Sequence, residues 1–340
     1  MSSTIRALAV TDGWGIDHLQ MIERPLPAPG PGQVRVRMQA ASLNYRDYLT
    51  VLGKTGKWPQ PFVPFSDGAG VIDAMGPETE GVEVGQPVCP LFYQRWFEGP
   101  PSDRYRPWVL GGTQEGVLQQ QAVFEAGSVI APPLGWSAIE AATLPCAGLT
   151  AWRAIAEEGQ IGPGSSVLVQ GTGGVSIFAL QFAKAMGARV IVTSSSDAKL
   201  ERARALGADD TINYRSTTDW STAVNDLTDG EGVDLVVEVG GAETFNPSIG
   251  CTRTGGRIIL IGVLSGFRQE ILVPSIFAKQ LHVIGISVGS RDHFANMVRF
   301  IERHALAPVV DQVWPWAQTA EALRAMEQAG HFGKLCVEIS

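Results

Sequence analysis

The sequence predicts an α/β protein built from a β-rich barrel and a doubly wound parallel sheet. Three observations carry this expectation. Short strand-like runs separated by Gly- and Pro-rich turns fill the first third of the chain. From Ser166 onward, apolar runs of strand length alternate with helical stretches. At 340 residues the chain exceeds what one ordinary core encloses. The expected division is 1–133 for the barrel, 134–288 for the sheet and 289–340 for a return of the chain to the barrel.

Bulk properties narrow the function classes. Apolar residues make up 45% of the chain and charged ones 18%, as in a well-buried globular protein. A net charge of -8 gives no general attraction to nucleic acid or to acidic membrane, so any anion site is local. No apolar run reaches membrane-spanning length, and the start MSSTIRALAV has neither a basic region followed by an apolar one nor a cleavage site. A cytoplasmic location is expected. Cys89, Cys146, Cys251 and Cys336 lie far apart without a C-x-x-C pair, which argues for free buried thiols over a disulfide scaffold or a zinc knuckle.

In the barrel part, Ile5 to Val10 reads as a first strand, and Val34-Arg35-Val36-Arg37-Met38 alternates with period two, as in a sheet solvated on one face. The prolines between Pro25 and Gly32 exclude a helix there. Further strands fit Gly70 to Ala74, Pro87 to Leu91 and Val117 to Phe124. Between Phe92 and Thr113 the periodicity is lost while Tyr93, Trp96, Phe97, Tyr105 and Trp108 accumulate. Two readings stand open for that segment, a self-packed surface lobe and an aromatic wall over a substrate cleft. Ser137 with Glu140 forms a capping-box pattern for a helix over 137–144, and a helix follows over 149–157.

The stretch SVLVQ-GTGGVS-IFALQFAKAMGA-RVIVTS is strand, glycine turn, helix, strand. Such a turn, with Gly171, Gly173, Gly174 and Val175, aims free backbone N–H groups and the positive end of a helix dipole at one point, where a pyrophosphate fits. Ser176 stands where G-x-G-x-x-G has its third glycine. Helices over 197–206 and 219–227 and strands over 211–213, 233–239, 256–261 and 282–287 continue the alternation, giving six parallel strands. Helices over 292–304 and 318–328 precede an ending strand, Lys334 to Ile339, which has more reason to complete the barrel than to join the parallel sheet.

These residues together resemble the medium-chain dehydrogenase/reductase superfamily along nearly the whole chain, nearest to its zinc-free quinone oxidoreductase-like branch. The stretches that carry the resemblance are PGPGQVRVRMQAASLNYRDYL, PFSDGAGVI, LPCAGLTAW, the glycine unit with its continuation to ADDTINY, and GGRIILIGV. The resemblance implies a GroES-like β-barrel catalytic domain plus a Rossmann domain, with an active site in the cleft between them. It also implies a homodimer paired through the last strand of the parallel sheet, around Leu281 to Ser287. Zinc-dependent relatives place their three catalytic ligands at positions that correspond here to Asn44, Ser66 and Cys146. Catalytic zinc takes N or S donors, so two of the three are lost, and no zinc is expected. Asp67 is the alternative that a replacement ligand would use. A structural zinc needs clustered cysteines, which the segment 92–113 lacks.

An NAD-selective site carries an acid at the end of the second strand. Here that strand ends Val192-Thr193-Ser194-Ser195-Ser196, and hydroxyls with Lys199 suit a 2′-phosphate, so NADPH is expected over NADH. Asp197 speaks against this unless it serves as the cap of its own helix. By resemblance, Tyr214 lies near the same phosphate, Asn44 and Lys334 contact the nicotinamide half and the pyrophosphate or ribose, and the turn Gly262-Val263 lies along the nicotinamide. Lys334 as a solvated tail residue is the plain alternative.

Without a metal, hydrogen-bond donors must meet the negative charge that forms on the substrate oxygen. Asn44, Tyr45, Arg46 and Tyr48 are the candidates; the plain alternatives are that Arg46 only pairs with Asp47 and that Tyr45 only packs. Trp58, Phe62, Phe92, Trp96 and Phe267 would line an apolar pocket. The expected activity is NADPH-dependent reduction of a quinone, an enone or another activated carbonyl compound. A zinc-independent alcohol dehydrogenase and a non-catalytic NADPH-binding sensor are the alternatives.

Overall fold

The computed structural model describes residues 4–340. They fall into two compact units, one holding the residues up to Leu149 together with Val288–Ser340, the other holding Thr150–Ser287. The first unit opens with β1 (Thr4–Val10) and β2 (Leu19–Pro25), an antiparallel pair. It continues with β3 (Gln33–Ser42), β4 (Asp67–Met75), β5 (Pro87–Pro90), β6 (Gln121–Glu125) and β7 (Val129–Ile130). The second unit contributes β8 (Ser166–Gln170), β9 (Arg189–Ser194), β10 (Asp210–Asn213), β11 (Val233–Glu238), β12 (Thr252–Leu260) and β13 (His282–Gly285). The chain then supplies the first unit with β14 (Val310–Pro315) and β15 (Lys334–Glu338).

In the first unit the strand order is β14-β15-β3-β4-β5-β7, with β6 also on β3. The alternation in β3 is realised: Val34, Val36 and Met38 are buried in the core while Arg37 is exposed. The ending strand does join this sheet, antiparallel to β3 with Val337 opposite Ala41. Two expectations need correction. Only Gln121–Glu125 of the strand expected over 117–124 is a strand, because the residues before it bond elsewhere: Val117 N donates to Phe65 O (3.0 Å) and Leu8 N to Leu118 O (2.8 Å). The segment 134–149, expected with the parallel sheet, belongs to the first unit.

The capping box in that segment forms, with Ser137 N donating to Glu140 Oε2 at 2.8 Å, but its α-helix covers only Ala138–Ala141. Pro145 lacks the N–H that an α-helix would offer to Ala141 O. That carbonyl instead accepts from Cys89 Sγ, the neighbouring Ala142 O accepts from Ser42 Oγ at 2.8 Å, and Leu144–Gly148 winds as a π-helix. The helix expected over 149–157 is present, with Arg153–Glu157 also π-helical.

The aromatic rings of the lobe between Phe92 and Thr113 pack on one another. Trp96 is buried, stacked on Tyr105 with ring centroids 5.6 Å apart and edge-on to Tyr93 at 5.6 Å, and the Arg95 guanidinium lies 3.4 Å over Trp108. Phe92 faces Tyr93 inside the lobe, Trp58 packs near Phe62 at 6.3 Å, and Phe267 is 72% exposed on the second unit. Of the five apolar residues expected around a pocket, Phe92 and Trp96 both pack on Tyr93, Trp58 and Phe62 pack on each other, and Phe267 is exposed.

In the second unit all six strands are parallel in the order β10-β9-β8-β11-β12-β13. The sheet is buried, as the near-continuous apolar runs require. Its order reverses between β8 and β11, the place at whose carboxyl end a doubly wound sheet opens a crevice.

Backbone approach between β3 and β4 gives a test of the first unit. A Cβ on Gly70 would lie 2.2 Å from Arg37 O. Gly70→Ala is expected to lower stability by about 2 kcal/mol, read as a shifted urea midpoint with unchanged slope.

Candidate active site

In the second unit, β8 ends at Gln170 and the chain turns through Gly171, whose φ of +71 lies in the left-handed region. Gly173 is the N-cap of the helix Gly174–Ala185 and supplies no side-chain cap, so the first N–H groups of that helix, Gly174 and Val175 among them, keep their donors for a ligand. A Cβ on Gly173 would meet nothing within 4 Å, so the space beside the turn is not needed for packing within the protein. Ser176, in the third-glycine place, is buried and donates from Oγ to Gln170 O at 2.7 Å, closing the end of β8 with a side chain. This cradle fits a dinucleotide pyrophosphate.

At the end of β9, Ser194 is buried and its Oγ accepts from Ser196 N at 3.3 Å, while Ser195 and Lys199 are half-buried beside it. Tyr214, 43% exposed, donates its backbone N–H to Ser194 O at 3.1 Å, which joins the ends of β9 and β10. The helix Asp197–Ala205 is capped by Ser196, not by Asp197; the Asp197 carboxylate instead accepts from Asn213 Nδ2 at 2.8 Å. Gly262 follows β12 with Val263, and a Cβ on it would lie 2.1 Å from Val239 O, so only glycine fits that turn.

In the first unit a polar cluster forms where β3 runs into the short helix Tyr45–Val51. Lys334, at the start of β15, is only 3% exposed, which removes the solvated-tail reading. Its Nζ donates to Leu43 O (2.7 Å) and Asn44 Oδ1 (2.6 Å), and lies 3.8 Å from the Asp67 carboxylate. Asn44 in turn donates from Nδ2 to Asp47 Oδ2 at 3.2 Å, so both ends of its amide are held. Burial pushes the Asp67 carboxyl up to about 6, with Lys334 pulling the other way. Ser66 Oγ donates to Asp67 Oδ1 at 3.3 Å, and Ser42 Oγ, whose hydrogen goes to Ala142 O, lies 3.3 Å from Asp67 Oδ2.

Of the other proposed donors, Arg46 is committed: its Nη1 lies 2.8 Å from the Asp47 carboxylate, its Nη2 donates to Gly111 O at 3.0 Å, and its guanidinium lies 5.1 Å over Phe92. Tyr48 donates to Glu327 Oε1 at 2.5 Å, a bond that, with burial, pushes its phenol up to about 12. Tyr45 packs against Tyr48 with centroids 5.8 Å apart, and its hydroxyl makes no hydrogen bond to another of the described residues. Asp47, buried, and Glu327, exposed, escaped attention as site residues, since no motif marks a carboxylate that holds a neighbour. A cavity of about 400 Å³ lies between Arg24, Arg95, Trp108 and Glu125, and none of these site residues lines it.

Two family models match the chain, the alcohol dehydrogenase GroES-like domain over residues 30–133 and the zinc-binding dehydrogenase model over 174–303. A zinc-type alcohol dehydrogenase-like protein of Schizosaccharomyces pombe is 42% identical over 96% of both chains. The chain belongs to the medium-chain dehydrogenase/reductase superfamily. Among solved structures, a putative alcohol dehydrogenase from Sinorhizobium meliloti superposes with a TM-score of 0.92 at 41% identity, covering 99% of each chain. An NAD-dependent alcohol dehydrogenase superposes with a TM-score of 0.90 at 36% identity, covering 98% of this chain and all of the other. As a member of this superfamily the chain is an NAD(P)-dependent, alcohol dehydrogenase-like oxidoreductase. No helix among the described residues is long and apolar enough to cross a membrane.

The superfamily has zinc-dependent members, which raises the question whether the donor set here fits a metal. Asn44, Ser66 and Cys146 offer one amide, one hydroxyl and one thiol, and of these only the thiol is a donor that catalytic zinc takes. The amide oxygen is already held by Lys334. Among the described residues no group of three or more His, Cys, Asp or Glu side chains is placed to hold a metal ion. These residues do not fit a catalytic zinc. The remaining thiols are buried; burial pushes Cys251 and Cys336 up to about 12 and raises Cys89 too.

Asp67 gives a pH test. Its folded value lies above the ordinary 3.8, so the folded state holds the proton more tightly, and this stabilisation is lost as pH rises through the window from about 4 to 6. The stability of the native chain relative to Asp67→Asn should fall across that window by up to about 3 kcal/mol, measured by urea unfolding at stepped pH.

Proposed function

We propose that the chain is an NADPH-dependent reductase of quinones, enones or other activated carbonyl compounds, working without zinc. The observation that carries this reading is the donor set at Asn44, Ser66 and Cys146, in which Asn44 Oδ1 already accepts from the Lys334 ammonium and a metal would find one sulfur. NADPH over NADH is supported by the hydroxyls of Ser194 and Ser195 at the end of β9, where an acid would stand in an NAD-selective site. The engagement of Asp197 by Asn213 is consistent with this. The NAD-dependent relative favours NADH as the second reading.

Bound NADPH supplies a hydride. When a conjugated acceptor takes it, the electron pair of the π bond moves to the carbonyl oxygen as an enolate or phenolate. An O–H donor then gives the proton that completes the reduction. Tyr45 is the donor of choice, because its hydroxyl is uncommitted whereas Arg46 and Tyr48 are tied to carboxylates. Lys334 and Asp47 fix the Asn44 amide, leaving its second N–H hydrogen to meet a cofactor or substrate carbonyl.

We also propose that the chain forms a homodimer through the edge strand β13, which among the described residues pairs only with β12; Leu272 and Phe277, at the N-cap of and within the helix Val273–Ala278 that precedes it, are 68% and 66% exposed. An open strand edge is a self-pairing surface, and exposed apolar side chains favour the contact. Phe277→Glu is expected to convert dimers to monomers in analytical ultracentrifugation.

Turnover decides the main reading. NADPH oxidation by a panel of quinones and enones should survive exhaustive chelation, and Tyr45→Phe should lower kcat by about a hundredfold while leaving the Kd for NADPH unchanged. One tightly held zinc per subunit, whose removal abolishes turnover, would overturn it. For cofactor choice, Ser194→Asp should move preference from NADPH toward NADH, and an unchanged ratio of kcat/KM would exclude the role given to that serine.

A further inference from the structure

The last residue of β11, Glu238, is fully buried, and its carboxylate is met by neutral donors. Its Oε1 accepts from Gly240 N and Gly241 N, both at 2.9 Å, and from Thr244 Oγ1 at 2.5 Å. Its Oε2 accepts from Gln170 Nε2 at 2.7 Å and from Ser248 Oγ. Gln170 is the last residue of β8, so this pair bridges the two strands between which the sheet order reverses. The bonds run on in both directions. Gln170 O accepts from Ser176 on the glycine-turn side (2.7 Å), Glu238 O accepts from Ile261 N (2.9 Å), and Gly240 O accepts from Ser265 N (2.7 Å).

The loops tied in this way have no slack. A Cβ on Gly240 would lie 2.2 Å from Thr244 Oγ1, Gly241 has a φ of +91, and Gly262 abuts Val239 O. A dinucleotide in a doubly wound sheet sets its pyrophosphate on the turn after the first strand and its adenosine ribose at the end of the second. The other half then extends across the reversal toward the loops after β11 and β12. A buried network satisfied at every atom specifies one backbone shape, and a half-satisfied one does not.

We propose that Glu238 is a positioning residue for the nicotinamide half of the dinucleotide. Its carboxylate holds the loop after β11 against the turn at Gly262, and through Gln170 it locks both to the phosphate-binding turn. The side chain itself is covered, so it acts through Gly240, Gly241 and Gly262.

Titration of the full chain with NADPH, NADH and ADP tests this, because ADP reaches the glycine turn without a nicotinamide half. Gln170→Glu, which sets two carboxylates face to face, should weaken both dinucleotides by about tenfold or more while ADP stays within about twofold. The exchange Gln170→Glu with Glu238→Gln restores a carboxylate–amide pair, and it should bring dinucleotide affinity back to within about threefold of the native chain. Thr244→Val, which removes one donor at the end of a helix, gives the same asymmetry between dinucleotide and ADP at about three- to fivefold should Gln170→Glu not fold. Equal weakening of ADP and dinucleotide would reduce Glu238 to a purely structural group. Unchanged dinucleotide affinity, or an exchange variant that is not restored, would overturn the proposal outright.

Discussion

The first unit depends on one buried cation. The Lys334 ammonium is held by Leu43 O and Asn44 Oδ1 with Asp67 behind it, and it reaches them because β15 pairs with β3 near the junction where β3 ends and the helix Tyr45–Val51 begins. A charge is expensive to bury unless partners surround it, so strand pairing and the polar cluster reinforce each other. Asn44 gains a fixed orientation from this, and Asp47 passes the constraint on to Arg46 and to Ser66 N.

The second unit solves a different problem, that of holding a large anion without cationic side chains in the turn itself. Backbone amides at Gly171–Val175 serve, since a helix start leaves donors unpaired and glycine lets the ligand come close. The side chains at the strand ends tie the loops around the crevice to one another. Ser176, Gln170 and Glu238 are therefore directed inward at carbonyls, amides and one another.

Much of this was legible in the sequence where local chemistry decides the outcome. The apolar runs at Ser166–Gln170 and Val233–Glu238, the glycine turn and the Ser137–Glu140 box all express short-range rules. The strands β2 and β14 and the helices Tyr45–Val51, Phe245–Cys251 and Val273–Ala278 were not read, being short and stabilised chiefly by what they pack against. Asp197 looked like a helix cap, yet Ser196, one place earlier, takes that role, because cap identity depends on the backbone conformation of a single residue. The partners of Lys334 were invisible for another reason: Asp67 lies 267 positions away in the chain, and only the sheet brings the two together. The Trp96 lobe left two readings open in the sequence, since aromatic content alone does not say whether rings face one another or a ligand.

The covered thiols have a bearing on the company this protein keeps. Enones and quinones are soft electrophiles that alkylate cysteine through its thiolate. Cys89, Cys251 and Cys336 are buried and Cys146 half-buried, and all four are held in the protonated form by their surroundings. Under the function proposed above, the enzyme is thereby a poor target for its own substrates, with self-inactivation suppressed by the same desolvation that packs its interior.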